Sequence, residues 1–513
     1  MSDNSTSNRR IVKNTLLLYF RTILILIVSV YTSRVVLEVL GVDDYGIYNA
    51  VGGVVAMFSV LTGALSNSIS RFITFEIGRG NKEKLNRIFS MSINIQVLLS
   101  IIVVVLIELV GIWFLNSKMS IPEGRLTAAN WVLQCSLVVF VIGLLSVPYN
   151  ACIIAHEHMN AFAYISILDA VLKLLIVFLI QRSPVDKLVS YAILLAIVSL
   201  IIRLLYQVYC RKHFEESKYH RTYDKVLFKE MLGFAGWSFF TNANYIINNQ
   251  GVNILINLFF GVAVNAARGL ASQVEGAVVM FVNNFTTAIN PQITKSYAAG
   301  DKKRMFGLIC KGAKFSFFLL LLFSLPFMLE TDFILKIWLK EVPEHTAAFI
   351  RLSFIASMMT VIGKTGFTAC MATGNIRKYV LVLSSVGIST FFLTWIAFEF
   401  GMPVEACYVI FAIVYFIVEV LRLYLMKEML DFPPLLFIKE VVKYIVVVTL
   451  VSVIIPFALF YIMPESLLRF IVVSLMCVLS TLLSIAFLGL TRTERSAILN
   501  NIKNHIYRFY HKK

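Results

Sequence analysis

The chain contains 513 residues, of which 59% are hydrophobic and only 15% are charged. Soluble globular domains carry about 25% charged residues. Together with a mean hydropathy of +0.81, this composition excludes a soluble enzyme, a disordered scaffold and a secreted disulfide-rich module. Apolar segments recur from one end of the chain to the other. The sequence therefore predicts an all-α polytopic membrane protein.

Segments long enough to cross a bilayer predict about fourteen transmembrane helices. A hydrocarbon core about 30 Å thick needs roughly 20 apolar residues of helix. The first segment is not a cleaved signal peptide, because Arg21 interrupts its apolar run and no small-residue cleavage site follows. The predicted spans are 13–37, 45–70, 88–115, 127–151, 160–181, 188–210, 231–258, 262–290, 305–329, 346–372, 379–400, 404–427, 438–461 and 465–490.

The distribution of Lys and Arg predicts the orientation of these spans. With the N-terminus in the cytoplasm, the inside segments hold 30 of the 46 basic residues and the outside loops hold six. Such a bias follows the positive-inside rule, and it predicts that both termini are cytoplasmic. It also accounts for the net charge of +17. The basic side indicates contact with anionic membrane lipids rather than with nucleic acid.

An internal repeat organises the chain. Because the offset between the copies preserves topology, the two halves are predicted to be parallel repeats that bind substrate between them. Two motifs recur 220 residues apart: Gly41-Val42 at Gly261-Val262, and Gly80-Asn81-Lys82 at Gly300-Asp301-Lys302.

The repeat predicts two six-helix lobes and three smaller segments. The basic linker carries His213, Glu215, Glu216 and His220, which we expect to be solvated. The predicted parts are an N-terminal lobe (1–210, spans 1–6), a cytoplasmic linker (211–230), a C-terminal lobe (231–427, spans 7–12), an extra helix pair (428–490) and a basic cytoplasmic tail (491–513).

No motif for a metal, a cofactor or a nucleotide stands out. The seven cysteines lie in or beside the spans without a C-x-x-C pair, and His156-x-His158 has no third ligand close in sequence. Neither a bound metal nor a disulfide framework is expected. The sequence also lacks a P-loop and the Gly-rich dinucleotide motif, which argues against an ATP-driven pump within this chain.

Several charged side chains fall inside the predicted spans, where each costs about 2.5–3.5 kcal/mol at the bilayer centre. Asp169 and Lys173 are four residues apart and can pair on one helix face. Other basic residues have no acidic residue three or four positions away, and we expect them to line an aqueous cavity or to snorkel to the interface. These are Arg21, Arg268, Lys314 and Lys364.

Spans seven and eight are unusually polar. Amides both donate and accept hydrogen bonds, so an amide-rich face suits sugar hydroxyls; the alternative is interhelical hydrogen bonding, worth about 0.6 kcal/mol per bond. The density of these groups favours a cavity wall. On span seven, Ser238, Asn242, Tyr245, Asn249, Asn253 and Asn257 lie within about 120° of one another. On span eight, Arg268, Ser272, Glu275 and Thr286 share a face.

The chain resembles the polysaccharide flippases, which translocate lipid-linked oligosaccharides of O-antigen and capsule. They belong to the multidrug/oligosaccharidyl-lipid/polysaccharide exporter superfamily. The resemblance covers nearly the whole chain. It rests on the two lobes, the extra helix pair, the polar seventh span, the cationic spans and two local marks: Gly41-Val42-Asp43-Asp44-Tyr45-Gly46-Ile47-Tyr48, and Ser68-Ile69-Ser70-Arg71 before the Gly80-Asn81 loop.

The resemblance implies a MATE-like fold in the bacterial inner membrane. It implies alternating-access transport of an undecaprenyl-diphosphate-linked oligosaccharide from the cytoplasmic to the outer leaflet, for surface polysaccharide biosynthesis. No enzyme activity and no cofactor are implied; the partners are the lipid-linked oligosaccharide, membrane lipids and the polysaccharide polymerase or export machinery. The predicted central-cavity residues are Arg21, Arg268, Lys314, Lys364, Asn242, Asn249, Asn253 and Glu275.

Two alternative functions are considered. An H⁺- or Na⁺-coupled drug/cation antiporter of the same superfamily would need an acidic site in the cavity, and Asp169 or Glu275 would supply it. The basic bias favours an anionic substrate instead. A membrane-embedded glycan polymerase or ligase would need a large outside loop, whereas the predicted outside loops are all short.

Overall fold

A computed structural model describes residues 2–56, 58–117, 121, 124–182, 184, 186–339, 342–491 and 494–495. Over these residues the regular structure is entirely helical, which confirms the predicted all-α class. Most of the basic tail predicted at 491–513 lies outside the described residues. So do the side chains of Tyr245 and Asn257, which were predicted on the polar face of span seven.

The helices follow one another with short connections, as the alternation of apolar runs and loops predicts. In chain order they are α1 (Ser2–Ala56), α2 (Ser59–Arg79), α3 (Lys82–Leu106), α4 (Ile112–Ser117), α5 (Leu126–Ala155), α6 (Met159–Gln181), α7 (Lys187–His213), α8 (Lys225–Ile246), α9 (Val252–Phe260), α10 (Val262–Ala298), α11 (Lys302–Leu329), α12 (Thr331–Trp338), α13 (Thr346–Val361), α14 (Lys364–Ala372), α15 (Arg377–Glu399), α16 (Ala406–Leu430), α17 (Pro434–Phe437), α18 (Lys443–Ile462) and α19 (Leu467–Ser484). A 3₁₀ turn lies at Glu215–Ser217, and π-helical turns lie at Ile107–Gly111, Ile247–Gly251, Ile438–Val442 and Ile485–Gly489.

Ten helical stretches within the described residues are long and apolar enough to cross a membrane. They correspond to predicted spans three to six and nine to fourteen. Predicted spans one, two, seven and eight fall on α1, α2 and α8–α10, and α10 carries Arg268, Glu275 and several amides. The count of fourteen therefore stays a prediction. The ten stretches are Lys82–Ser117, Leu126–Ala155, Met159–Gln181, Lys187–His213, Lys302–Leu329, Thr346–Ala372, Arg377–Glu399, Ala406–Leu430, Pro434–Ile462 and Leu467–Gly489.

The glycines of the sequence repeat all have a positive φ. Gly41 kinks α1 with φ 80°, and Gly261, between α9 and α10, has φ 84°. Gly80 and Gly300 follow α2 and α10, both with φ 74°. Glycine adopts this left-handed region without the steric cost that a Cβ atom brings. The two motifs thus repeat in backbone geometry as well as in sequence.

The chain forms two compact units. The first comprises Met1–Ala243, Thr287–Lys302 and Gly374–Val380, and the second comprises Asn244–Thr286, Lys303–Thr373 and Leu381–Lys513. Helices α8, α10 and α15 each contribute residues to both units. The predicted lobes 1–210 and 231–427, with the linker 211–230 and the helix pair 428–490, stay predictions.

In the first unit, α5 packs against α2 and α7, and α1 packs against α6. The C-terminal end of α10 is fastened to the turn between α5 and α6 through Glu157. This buried carboxylate accepts hydrogen bonds from Lys295 Nζ and Gln292 Nε2, both at 2.6 Å. Because the Glu157 side chain is only 1% exposed, removing one donor would leave a buried charge poorly satisfied.

In the second unit, α18 packs against α19 and α13 against α16. Two ion pairs lie inside this unit: Arg469 lies 3.0 Å from Glu330, and Arg422 lies 3.0 Å from Glu419. The break between α13 and α14 brings Gly363 against the second pair, where a Cβ atom would overlap both charged side chains. A residue without a side chain is therefore required at this break.

Candidate functional site

The first unit contains an open cavity of about 550 Å³. Helices α1, α5, α6 and α7 form its walls, and apolar and polar side chains line it together. The charged residues in the wall are two cations and one carboxylate, which leaves a formal charge of +1. The charged and main polar lining residues are Arg21, Ser146, Asn150, Asp169, Lys173 and Tyr206.

Within this cavity, Asp169 and Lys173 form the pair that their spacing predicts. Lys173 Nζ lies 2.8 Å from Asp169 Oδ2 on α6. The Arg21 guanidinium lies over the Phe162 ring, 4.6 Å from its centroid. Arg21 Nε has no hydrogen-bond partner among the described residues. Arg21 is thus the cation in the cavity wall that Asp169 does not bond directly.

A second polar cluster lies in the second unit, where α10 meets α13 and α14. Arg268, Glu275 and Asn283 are seven and eight residues apart on α10, about two helical turns each. This spacing places them on one face. Lys364 begins α14, and its Nζ donates to Asn283 Oδ1 at 2.5 Å. Ser357 of α13 donates to Glu275 Oε1.

The electrostatics of this cluster resemble those of the cavity, but the pairing differs. Glu275 interacts with both Arg268 and Lys364, so one carboxylate is shared between two cations. Arg268 is only 8% exposed, and its Nε and Nη1 have no hydrogen-bond partner among the described residues. Its guanidinium lies 6.0 Å from the centre of the Tyr408 ring. Buried guanidinium donors without acceptors are positioned to bind an anion.

The amides of α8, α9 and the π-helical turn between them differ in what they contact. Asn248 Nδ2 donates to Asn244 Oδ1 at 3.0 Å and to the Gly387 carbonyl of α15 at 2.9 Å. The Asn248 amide therefore makes an interhelical contact, which is the alternative considered for this polar face. Asn253 donates to Gln250 at 3.1 Å. Asn249 is half-buried in the second unit, and Asn242 is half-buried in the first.

Lys314 forms a buried ion pair in the second unit. It is 1% exposed, and its Nζ lies 2.8 Å from Glu494 Oε2 and 4.7 Å from the Tyr444 ring centre. Because Glu494 lies 180 residues away in the chain, a search for acidic residues three or four positions from Lys314 does not find it. The charge of Lys314 is therefore paired in the interior of the second unit, and its place in a substrate cavity stays a prediction.

The linker also departs from expectation at one residue. His213, Glu215 and His220 are exposed, as predicted, but the Glu216 side chain is only 10% exposed. Its carboxylate bonds to His156 Nε2 and lies 3.6 Å from Cys152 Sγ. The prediction that Glu216 is solvated is wrong, because the turn after α7 folds back onto the end of α5.

Sequence reasoning missed several members of these sites. Ser357, Tyr408 and Cys152 carry no local signal, because each meets its partner across a helix contact between residues far apart in the chain. The bond between Asn283 and Lys364, 81 residues apart, likewise depends on the tertiary fold.

Comparison with known proteins places the chain in a family. The model of the family described as polysaccharide biosynthesis protein matches residues 11–297. A curated relative, the uncharacterized membrane protein EpsK of Bacillus subtilis (strain 168), is 22% identical over 297 residues. These residues cover 57% of this chain and 58% of EpsK.

Solved structures are similar in fold. A MATE protein in the bent conformation superposes with a TM-score of 0.74 at 12% identity, covering 83% of this chain and 96% of that one. A MOP superfamily transporter from Pyrococcus furiosus, described as having a binding pocket of reversed polarity, gives 0.67 at 12% identity, with 82% and 96% covered. The chain belongs to the polysaccharide biosynthesis protein family, and its helices have the fold seen in the MATE structures.

Proposed function

We propose that this protein is a flippase for a lipid-linked oligosaccharide. It moves the substrate from the cytoplasmic to the outer leaflet of the bacterial inner membrane by alternating access, for surface polysaccharide biosynthesis. The resemblance of the sequence to flippases implies an undecaprenyl diphosphate carrier. The transport needs no covalent step, in keeping with a family and a fold of membrane transporters.

The proposal rests on the polar cluster of Arg268, Glu275, Asn283 and Lys364, called the Arg268 cluster below. A diphosphate cannot cross hydrocarbon without compensation for its charge. Arginine presents planar, bidentate donors that match phosphate oxygens, and lysine adds a compact positive charge. Glu275 lies between Arg268 and Asn283 along α10, and its carboxylate experiences the positive charges of both Arg268 and Lys364. The formal charges of Arg268, Lys364 and Glu275 sum to +1, which favours an anionic headgroup over a cationic drug.

The remaining polar groups suit the glycan. Amides and hydroxyls donate and accept hydrogen bonds as sugar hydroxyls do. Asn249 and Asn253 supply such groups on α9 and the preceding turn of the second unit. Ser146 and Asn150 supply them in the cavity of the first unit. Arg21 adds a cation to that cavity, so both units offer a positively charged polar region.

The antiporter alternative finds less support. Its coupling site would be Asp169 or Glu275, and a coupling carboxylate must bind and release H⁺ or Na⁺. Asp169 is bonded to Lys173 at 2.8 Å, while Glu275 accepts a bond from Ser357 and faces two cations. The cations that already neighbour each carboxylate repel a coupling cation.

The proposal is tested by mass spectrometry of lipid-linked glycans from cells that lack the protein. Deletion is expected to cause accumulation of a lipid diphosphate oligosaccharide, relieved by the wild-type protein but not by Arg268→Gln. The matched control is Arg351→Gln, which removes a half-exposed arginine of the same unit that pairs with Asp332 at 2.7 Å. The control should relieve the accumulation fully.

Two results would overturn the proposal. One is an absence of lipid-linked intermediates in deleted cells whose surface polysaccharide is intact. The other is full complementation by Arg268→Gln at wild-type expression. The proposed orientation is measured separately with single cysteines placed in the termini: membrane-impermeant maleimide should label them only after the cytoplasmic face is opened.

A further inference from the structure

We propose that Cys152, His156 and Glu216 form a zinc-binding site. They lie within the first unit, at the point where the segment after α7 packs against the end of α5. The site is distinct from the cavity and from the Arg268 cluster, and it does not depend on the transported substrate. A bound ion would fasten the start of the linker to the helices beside it.

The geometry of the three side chains carries the proposal. Their ligand atoms, a thiol sulfur, an imidazole nitrogen and a carboxylate oxygen, all lie within 4.8 Å of one another. The Cys152 Sγ to Glu216 Oε1 distance is 3.6 Å, and His156 Nε2 bonds to the same oxygen. Zinc binds such ligands at about 2.0–2.3 Å in a tetrahedron, so neighbouring ligands stand about 3.3–3.8 Å apart. Small side-chain rotations are enough to reach that arrangement.

The local structure delivers these ligands together. Cys152 and His156 are four residues apart at the C-terminal end of α5, which places them on one face. Glu216 comes from the 3₁₀ turn Glu215–Ser217 that follows α7. Asn86 of α3 fixes that turn by donating to the Glu216 carbonyl at 3.0 Å.

The environment favours zinc over harder cations. Cys152 is fully buried, and the side chains of His156 and Glu216 are 25% and 10% exposed. The Phe214 ring stacks on the His156 imidazole with a centroid distance of 4.3 Å, which orients it. A second buried thiol, that of Cys210, donates to the Tyr149 carbonyl at 3.5 Å. Thiolate and imidazole ligands select Zn²⁺, whereas Mg²⁺ and Ca²⁺ prefer oxygen.

The competing explanation is a clasp held by hydrogen bonds alone. Such a clasp would also fasten the turn to α5, but it would bind no metal in stoichiometric amounts. The two explanations therefore differ in a quantity that can be measured on the purified protein.

The test uses the full chain in nanodiscs with a non-thiol reductant present. The protein is stripped with a chelator and titrated with Zn²⁺, and bound metal is counted by mass spectrometry. We expect one Zn²⁺ per chain, and Co²⁺ in its place should show a thiolate-to-cobalt absorption band. Cys152→Ser should abolish the band and weaken zinc binding at least tenfold. Cys135→Ser, a buried cysteine of the same helix, should change neither.

A pair of His156 variants separates loss of a ligand from loss of the fold. His156→Cys keeps a zinc ligand, so it should retain stoichiometric Zn²⁺. His156→Phe keeps a ring against Phe214, so it should fold but bind at least tenfold more weakly. Substoichiometric zinc in the wild-type protein, or equal affinity in folded wild-type, Cys152→Ser and His156→Phe proteins, would overturn the proposal.

Discussion

The cavity of the first unit and the Arg268 cluster of the second unit contain the same charges in different arrangements. Each has two cations and one carboxylate. In the cavity, Lys173 forms an ion pair with Asp169 at 2.8 Å, and the Arg21 guanidinium lies over the Phe162 ring. In the cluster, Glu275 bonds to a serine and is shared between Arg268 and Lys364.

This difference separates charges that are already neutralised from charges that remain available. A direct ion pair satisfies both partners and leaves little field for a third group. A shared carboxylate leaves each cation partly uncompensated inside a buried site, where electrostatic interactions are stronger than in water. We therefore expect the second unit to supply most of the binding free energy for an anionic headgroup.

The largest expected effect comes from Lys364→Met. Loss of a charge-assisted hydrogen bond to a phosphate costs about 1.5–3 kcal/mol, which corresponds to roughly 10- to 100-fold in transport. The measurement is flipping of a fluorescent lipid diphosphate oligosaccharide in proteoliposomes. Lys173→Met is the matched control from the cavity, and its loss should stay below threefold. Equal losses in the two variants would remove the distinction between the regions.

Glu275→Gln should strengthen anion binding by the second unit, whereas Lys364→Met weakens it. Without the shared carboxylate, the cluster keeps two cations and its formal charge rises from +1 to +2. We expect a diphosphate probe to bind about tenfold more tightly, a gain of about 1.4 kcal/mol, while turnover falls because release slows. Binding is measured by fluorescence quenching in nanodiscs. The exposed Glu399→Gln serves as control, and weaker binding by Glu275→Gln would contradict the shared-carboxylate interpretation.

Asp169→Asn should have a smaller effect. The Lys173 and Asp169 side chains are 44% and 30% exposed to the cavity, so water partly replaces the lost partner. Partly exposed ion pairs contribute about 0.2–1 kcal/mol. We expect thermal stability in detergent to fall by no more than this, with transport within threefold of wild type. A tenfold loss of transport would instead give Asp169 a coupling role and revive the antiporter.

The sequence could predict what local periodicity encodes. Helical spacing was enough to place Asp169 beside Lys173 and to predict a polar face on α10. It could not pair Lys314 with Glu494 or His156 with Glu216, which are 180 and 60 residues apart. Nor could it show that Asn248 meets a backbone carbonyl of α15. The partners of buried polar groups depend on which helices touch, and that follows from the tertiary fold.

A third charged site lies outside the membrane-spanning helices, and it contains one cation and two carboxylates. Arg125 bonds to two carboxylates, those of Asp44 and Asp186. Burial opposes ionisation of Asp186, but the Arg125 guanidinium and the backbone N–H groups that begin α7 outweigh it and hold the pKa of Asp186 below its ordinary value of 3.8. The charged form is thus the one that the folded protein stabilises.

Mutation of the Arg125 site should have the smallest effect on stability, and that effect should depend on pH in a defined way. A carboxyl group whose pKa is lowered by folding contributes stability above its ordinary pKa, and the contribution disappears as pH falls through the lowered value. Asp186→Asn can keep the N-cap, in which Val189 N–H donates to Oδ1 at 3.0 Å; it removes the charge and the hydrogen bond that Oδ2 accepts from Arg125 Nη1. We expect a loss of about 0.5–1 kcal/mol at pH 5–7 that shrinks below pH 4. Thermal unfolding from pH 3 to 7 measures it, and a loss that stays constant down to pH 3 would mean that the cap, rather than the charge, holds the loop.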